Sequence, residues 1–212
     1  MKNIFLLLFC VILSFNSFSQ GSESKSMHYI FVIDNTMSME GWAELTPDIW
    51  KDVKGQISNT ISTLDDKQGS VISIYTFSDK LDVVMNLSEV DIGIYREDIL
   101  SSISSLKAEG KTTCIYYSFK NLIDILSTDN QEMLNKYHNR IYLFTDSEED
   151  CNVQENQISC DDAFSDWCTI RSNQDKAEIV LFDDSINESA TGLLSCISDK
   201  ECIWTSKGIS TQ

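Results

Sequence analysis

The 212 residues carry 33 acidic side chains against 16 Lys and Arg, a net charge of −17, with one proline, eight glycines and seven cysteines. So acidic a chain offers no broad basic face to a phosphate backbone, which argues against nucleic acid as a partner and fits a cation or a partner with basic patches. The scarcity of proline and glycine leaves no room for a long linker, and no internal repeat or low-complexity tract divides the chain, so the reading is one domain.

The first segment, residues 1–20, has a single early base at Lys2, an apolar stretch from Ile4 to Leu13, and small residues at Ser17 and Ser19. This is the layout of a cleavable secretory signal, and the apolar run is shorter than the ~20 residues that span a bilayer. Cys10 follows the bulky Phe9, where a lipid-attachment signal carries a small residue, and it is discarded with the leader. The expectation is an exported protein, whether secreted, periplasmic or at the cell surface, with no membrane span in the mature chain. Residues 21–27 read as a short polar leader, 28–206 as the folded domain and 207–212 as a tail.

Within the domain, "HYIFVID" (28–34), "RIYLFTD" (140–146) and "AEIVLFDD" (177–184) are short apolar runs ending in acids. Such runs suit strands buried on both faces of a parallel sheet. Between the first two, Thr46-Pro47-Asp48 offers a cap, an N1 proline and an acid for the start of a helix whose apolar face is Ile49, Val53, Ile57, Ile61 and Leu64. "SVISIYTF" and "LDVVMNL" are separated only by Ser78 to Lys80, which makes them an antiparallel hairpin. Ile94, Ile99, Leu100, Ile103 and Leu106 mark one further helix, and Ile115, Phe119, Leu122 and Leu126 another. The fold class is α/β: a three-layer, doubly wound, mostly parallel sheet with one antiparallel edge strand.

"SLKAEGKTTC" (105–114) ends like a phosphate-binding loop, but Ser105 stands where the first glycine belongs and a helix, not a strand, leads into it. Lys111 is therefore set aside. The six cysteines after the leader, Cys114, Cys151, Cys160, Cys168, Cys196 and Cys202, predict disulfides in an exported chain. Zinc is the competing reading, against which stand the absence of Cys-x-x-Cys and the distance of His28 and His138 from the cysteines. The most local pairing is Cys196 with Cys202, leaving the other four to cross-link loops around the site.

That site follows the first and fourth strands, where doubly wound sheets bind their ligands. "DNTMSMEG" sets Asp34, Thr36 and Ser38 at alternate positions, so one carboxylate and two hydroxyls converge; "TDSEED" places Asp146 at the matching edge, and Thr113 adds a third hydroxyl from the start of a helix. An all-oxygen mixture suits a hard cation, Mg²⁺ or else Mn²⁺ or Ca²⁺, rather than zinc.

These residues resemble the von Willebrand factor A (vWA) family, whose metal ion-dependent adhesion site combines D-x-S-x-S after the first strand, a later threonine, and an aspartate in a T-D-G turn. The likeness rests on "FVIDNTMSMEG", "GKTTCIYYSF" and "LFTDSEEDC" and covers roughly residues 28–206. It implies that Thr36, Ser38 and Thr113 ligate the ion directly, that Asp34 and Asp146 orient and balance charge, and that a partner protein supplies an Asp or Glu to the last coordination position. The departures are Thr36 for the first serine, Ser147 for the turn glycine, and the cysteine-bearing stretch 151–170, which reads as an insertion.

The alternative is a phosphohydrolase of the haloacid dehalogenase type using Asp34 as nucleophile. That chemistry wants an aspartate two positions on, and the position holds Thr36. No Ser-His-Asp set is evident, and the expectation is a binding module rather than an enzyme. Glu148, Glu149 and Asp150 read as a solvated loop, the four tryptophans as core residues with Trp42 placed to line the site's rim, and Asn86 and Asn187 as glycosylation patterns.

Overall fold

The computed structural model describes residues 26–41, 49–64, 70–87, 92–129, 131–146, 149–172, 175–182 and 191–207. The predicted leader, Trp42, Thr46-Pro47-Asp48, Ser147, Glu148, Ser88 of the first glycosylation pattern, all of the second, and residues 208–212 lie outside the described residues.

β1 (Met27–Asp34), β2 (Val71–Phe77), β3 (Leu81–Leu87), β4 (His138–Thr145), β5 (Lys176–Leu181) and β6 (Ile203–Lys207) form one six-stranded sheet in the order β3-β2-β1-β4-β5-β6. All adjacent pairs are parallel except β2–β3, the predicted hairpin, whose register shifts between Ile74 and Tyr75. Both faces of the central strands are buried, which is why they read as continuous apolar runs. Along β1, Ile30 and Val32 enter one core while Tyr29, Phe31 and Ile33 enter the other.

Helices α1 (Trp50–Thr63) and α2 (Ile92–Ser105) cover one face; α3 (Ile115–Asp124), α5 (Cys160–Ile170) and α6 (Thr191–Ser198) cover the other. The short α4 (Gln131–Lys136) leads into β4. In α1 the stripe Trp50, Val53, Ile57 and Ile61 is buried, as the spacing predicts. In α2, Ile99 and Ile103 are buried but Ile94 is 72% exposed. Five residues at roughly 100° each put Ile94 about 140° round the helix from Ile99, outside the apolar stripe.

Residues 160–170 are not an insertion: α5 is the crossover that two adjacent parallel strands, β4 and β5, require, and Ala163, Phe164 and Trp167 pack it into the core. Ser159 caps it by accepting from the Asp162 N–H, a local signal that was available in the sequence. Trp204 is not a core residue but stands 41% exposed on β6, beneath the ammonium of Lys176. Trp50 and Trp167 are buried as expected.

The cysteines form three disulfides, Cys114–Cys151, Cys160–Cys196 and Cys168–Cys202. Cys196 does not pair with Cys202, because Cys196 lies on α6 and Cys202 beyond its end, and each meets a different turn of α5. The Cα separations, 6.2 Å and 5.4 Å, suit such bridges. Each bond spans 34 to 37 residues, a constraint on the unfolded chain worth roughly 3–4 kcal/mol.

At the opposite end of the sheet from the candidate site, His28 is buried between Ser73 Oγ at 2.9 Å and Asn139 Oδ1 at 3.1 Å, and Asp175 in turn accepts from the Asn139 backbone N–H at 2.6 Å. Burial lowers the imidazole's pKa from 6.5 to about 4, partly opposed by Asn139. Because the folded value is depressed, the neutral ring's stability is complete above pH 6.5 and is lost as pH falls toward 4, where the unfolded chain alone takes up the proton. The loss amounts to roughly 3 kcal/mol across that window. Urea unfolding at stepped pH should therefore show a decline between pH 6.5 and 4 that is missing in His28→Gln. The difference between the two profiles isolates the imidazole from acids with raised pKa, which act in the opposite direction.

Candidate metal centre

β1 lies between β2 and β4, the point from which the chain winds outward in both directions, and its last residue is Asp34. Asp34 is fully buried. Its Oδ1 accepts from the Thr36 backbone N–H at 3.0 Å and the Thr36 hydroxyl at 2.7 Å, while Oδ2 accepts from the Thr145 hydroxyl at 2.7 Å. The turn then continues as a 3₁₀ helix, Met37–Glu40, which brings Ser38 Oγ to 2.9 Å from Thr36 Oγ1 and 3.3 Å from Asp146 Oδ1. Four of the five predicted residues thus form one connected chain of oxygens.

Thr113 comes to the same place along a loop tied at every few residues. Leu106 O accepts from Trp50 Nε1 at 3.2 Å and Lys54 Nζ at 3.3 Å, and Glu40 accepts from the Ala108 N–H at 3.5 Å. Gly110 and the turn after β1 exchange backbone hydrogen bonds, Gly110 N–H to Asn35 O and Met37 N–H to Gly110 O, both 2.9 Å. A Cβ on Gly110 would lie 2.4 Å from Ser78 Cβ, so the approach requires glycine. Thr113 then lines a cleft of about 200 Å³ together with Thr36, Met37, Ser38, Gly110, Lys111 and Asp150. Thr112 lies instead on the adjacent cleft beside Asn35 and Ser78, which favours Thr113 as the site's hydroxyl. The Gly110 N–H is already committed to Asn35, so this loop cannot cradle a phosphate as a P-loop does.

The donor set is two carboxylates and three hydroxyls, all oxygen. The Thr36 hydroxyl donates to Asp34 Oδ1 across an oxygen–oxygen distance of 2.7 Å, and the Ser38 hydroxyl faces two acceptors, Thr36 Oγ1 and Asp146 Oδ1. Carboxylate and hydroxyl oxygens gathered in one connected cluster are the donor type that a hard cation takes. The electrostatics agree: burial, and then the charge of Asp146, raise the pKa of Asp34 to about 7 against the opposing hydrogen bonds from Thr145 and Thr36. A cation beside the pair would favour the ionised carboxylates. Among the described residues no three His, Cys, Asp or Glu side chains gather as a metal group.

Two contributors escaped the sequence reading. Thr145 ends an apolar strand, and a hydroxyl at that buried end needs a partner, which Asp34 provides. Glu149 is not part of a solvated loop: its Oε2 accepts from the Tyr116 backbone N–H at 2.9 Å and burial raises its pKa to about 7. Asp150 is exposed, as expected.

Residues 29–149 match the von Willebrand factor type A domain family. The chain belongs to this family. vWA domains generally mediate protein interactions rather than catalysis, and the three-layer sheet described above is their fold. A von Willebrand factor type A structure from Catenulispora acidiphila superposes with a TM-score of 0.62 at 15% identity, covering 88% of this chain and 39% of that one. Proximal thread matrix protein 1 from the mussel byssus, in a structure with a zinc-occupied MIDAS motif, gives 0.59 at 14% identity over 87% and 42%. The PilB minor pilin from Streptococcus sanguinis gives 0.59 at 14% over 91% and 58%. The present vWA chain thus spans between two fifths and three fifths of these proteins. No curated protein sequence matches it.

Asp34→Asn tests the electrostatic account directly. Without metal at pH 8 the substitution removes a buried charge beside a second acid, so it should raise stability by about 1–3 kcal/mol. The gain should shrink as pH falls, because the raised pKa leaves wild-type Asp34 neutral in acid. Paired urea titrations at pH 8 and pH 5 in chelator check both the sign and its decline, which is complete only below the unfolded carboxyl's value of 3.8.

Proposed function

We propose that this vWA domain binds one divalent cation through Asp34, Thr36, Ser38, Thr113 and Asp146, and uses it to engage an Asp or Glu side chain of a protein partner outside the cytoplasm. The observation that carries this is the connected cluster of hydroxyl and carboxylate oxygens at the ends of β1 and β4, beside the cleft that Thr113 lines.

Mg²⁺ fits such a donor set best on charge and hardness, with Mn²⁺ or Ca²⁺ as the other candidates. The mussel protein's zinc-occupied motif supports divalent binding on this fold without deciding the metal. With the neutral hydroxyls of Thr36, Ser38 and Thr113 as its direct ligands, the ion would stay electron-poor. The ion therefore keeps its attraction for an incoming carboxylate on a chain whose net charge of −17 would otherwise repel it. Three disulfides favour an oxidising compartment, in keeping with export. No described helix is long and apolar enough to cross a membrane.

The phosphohydrolase reading is not favoured. The residue two positions beyond Asp34 is Thr36, whose hydroxyl is spent on Asp34 itself, so the position provides no carboxylic acid to protonate a leaving group.

Calorimetric titration of Mg²⁺ and Mn²⁺ into chelator-stripped protein should give one saturable site that weakens more than about tenfold in Asp34→Ala and in Thr113→Ala. Capture of Asp- or Glu-bearing peptides should require the metal and be reversed by chelator. Failure to bind either metal at millimolar concentration with acetate present would overturn the proposal.

A further inference from the structure

We propose that Glu149, Asp150 and Cys151 act as a positioning clamp on the loop that carries Thr113, setting this hydroxyl against Asp34, Ser38 and Asp146 before any cation arrives. The inference rests on the metal-site reading above and adds to it three residues outside the metal-binding set.

The clamp consists of three consecutive residues making three chemically different links to one short target. Glu149 Oε2 accepts from the Tyr116 N–H at 2.9 Å. The Asp150 N–H donates to Thr113 O at 2.9 Å, as an isolated antiparallel bridge. Cys151 bonds covalently to Cys114, their Cα atoms 4.5 Å apart.

Each link answers a local need. The N-cap of α3 is Cys114, whose side chain makes no capping hydrogen bond and is committed to sulfur. The first amides of α3 are then left without their usual side-chain acceptor, and Glu149 supplies one from a different loop, with its negative charge at the positive end of the helix. Thr113 immediately precedes that cap, and the bridge to Asp150 holds its carbonyl.

The placement bears on the metal site because Asp146 lies just three residues before Glu149. One segment therefore carries an acid of the site and the grip on the threonine loop. On its other side that loop is held by backbone bonds at Gly110 and by the Cys114 N–H to Ser78 O at 2.9 Å. Sites whose ligands are fixed by surrounding contacts lose less on binding than sites assembled by the ion, and removal of such supporting partners costs metal affinity roughly 10- to 100-fold.

Mn²⁺ titration of the full chain would compare wild type with Glu149→Ala, Glu149→Gln, the Cys114→Ala/Cys151→Ala double variant, and Ser159→Ala as loss of a remote cap. Glu149→Ala and the cysteine variant should weaken Mn²⁺ about tenfold or more. Glu149→Gln, which keeps an oxygen for the Tyr116 N–H, should stay within about threefold, and Ser159→Ala should match wild type. In metal-free protein, hydrogen exchange at the Tyr116 and Asp150 amides should quicken in Glu149→Ala, a readout that needs no ion.

Wild-type affinity in both clamp variants would overturn the clamp and leave the metal site standing. An equal loss in Ser159→Ala would reduce the effect to general destabilisation and overturn it too. Wild type without saturable binding would remove the metal reading and the clamp's purpose together. If the cysteine variant does not fold, the Glu149 pair decides.

Discussion

Asp34 reaches a position with no solvent contact at the one place where the sheet's winding reverses, and its carboxyl accepts from Thr36 on one side and Thr145 on the other. A buried ionised carboxylate costs several kcal/mol unless polar neighbours compensate it, so these partners are a condition of the fold before they are features of a site. Thr145 can serve only because β4 runs in register with β1, Ile33 beside Phe144. A slip of one residue would turn its hydroxyl to the other face of the sheet. The parallel pairing of two central strands, the winding of the chain to either side and the buried acid thus form one constraint.

Much of this was legible in the sequence because two-faced burial leaves a plain mark. β1 and β2 are mostly apolar throughout, β4 and β5 carry the apolar runs Ile141–Phe144 and Ile179–Leu181, and the three-residue turn between Phe77 and Leu81 permits no connection except a hairpin. α1 and α3 carry apolar stripes at helical spacing. The second half of the chain was harder. β6 is an edge strand that alternates buried Ile203 with exposed Trp204 over a short span, and α5 is so rich in acids and cysteines that it resembled a surface insertion. Topology could have recovered α5, since β4 and β5 lie side by side and parallel, an arrangement with no short connection.

The site divided in the same way. Asp34, Thr36 and Ser38 were readable as a local pattern, and Asp146 and Thr113 as its complements on other loops. Thr145 and Glu149 were not, because each acts across the sheet end on a group distant in sequence, 111 residues away for Thr145 and 33 for Glu149. Their roles depend on register and loop path, which residue type alone does not carry. The cysteine pairing had the same character: sequence distance favoured Cys196 with Cys202, whereas helix packing gave each a partner on α5.

The disulfides also decide what a cut chain would be. Cys160 and Cys168 both lie before β5, and both of their partners, Cys196 and Cys202, lie after it. Severing any peptide bond between Cys168 and Cys196 would leave two fragments joined by two covalent bonds. A break between Cys114 and Cys151 would be bridged by the third. Through both stretches, one protease cut leaves the molecule in one piece, so a nicked molecule would gain only the mass of one water and come apart when its disulfides were reduced.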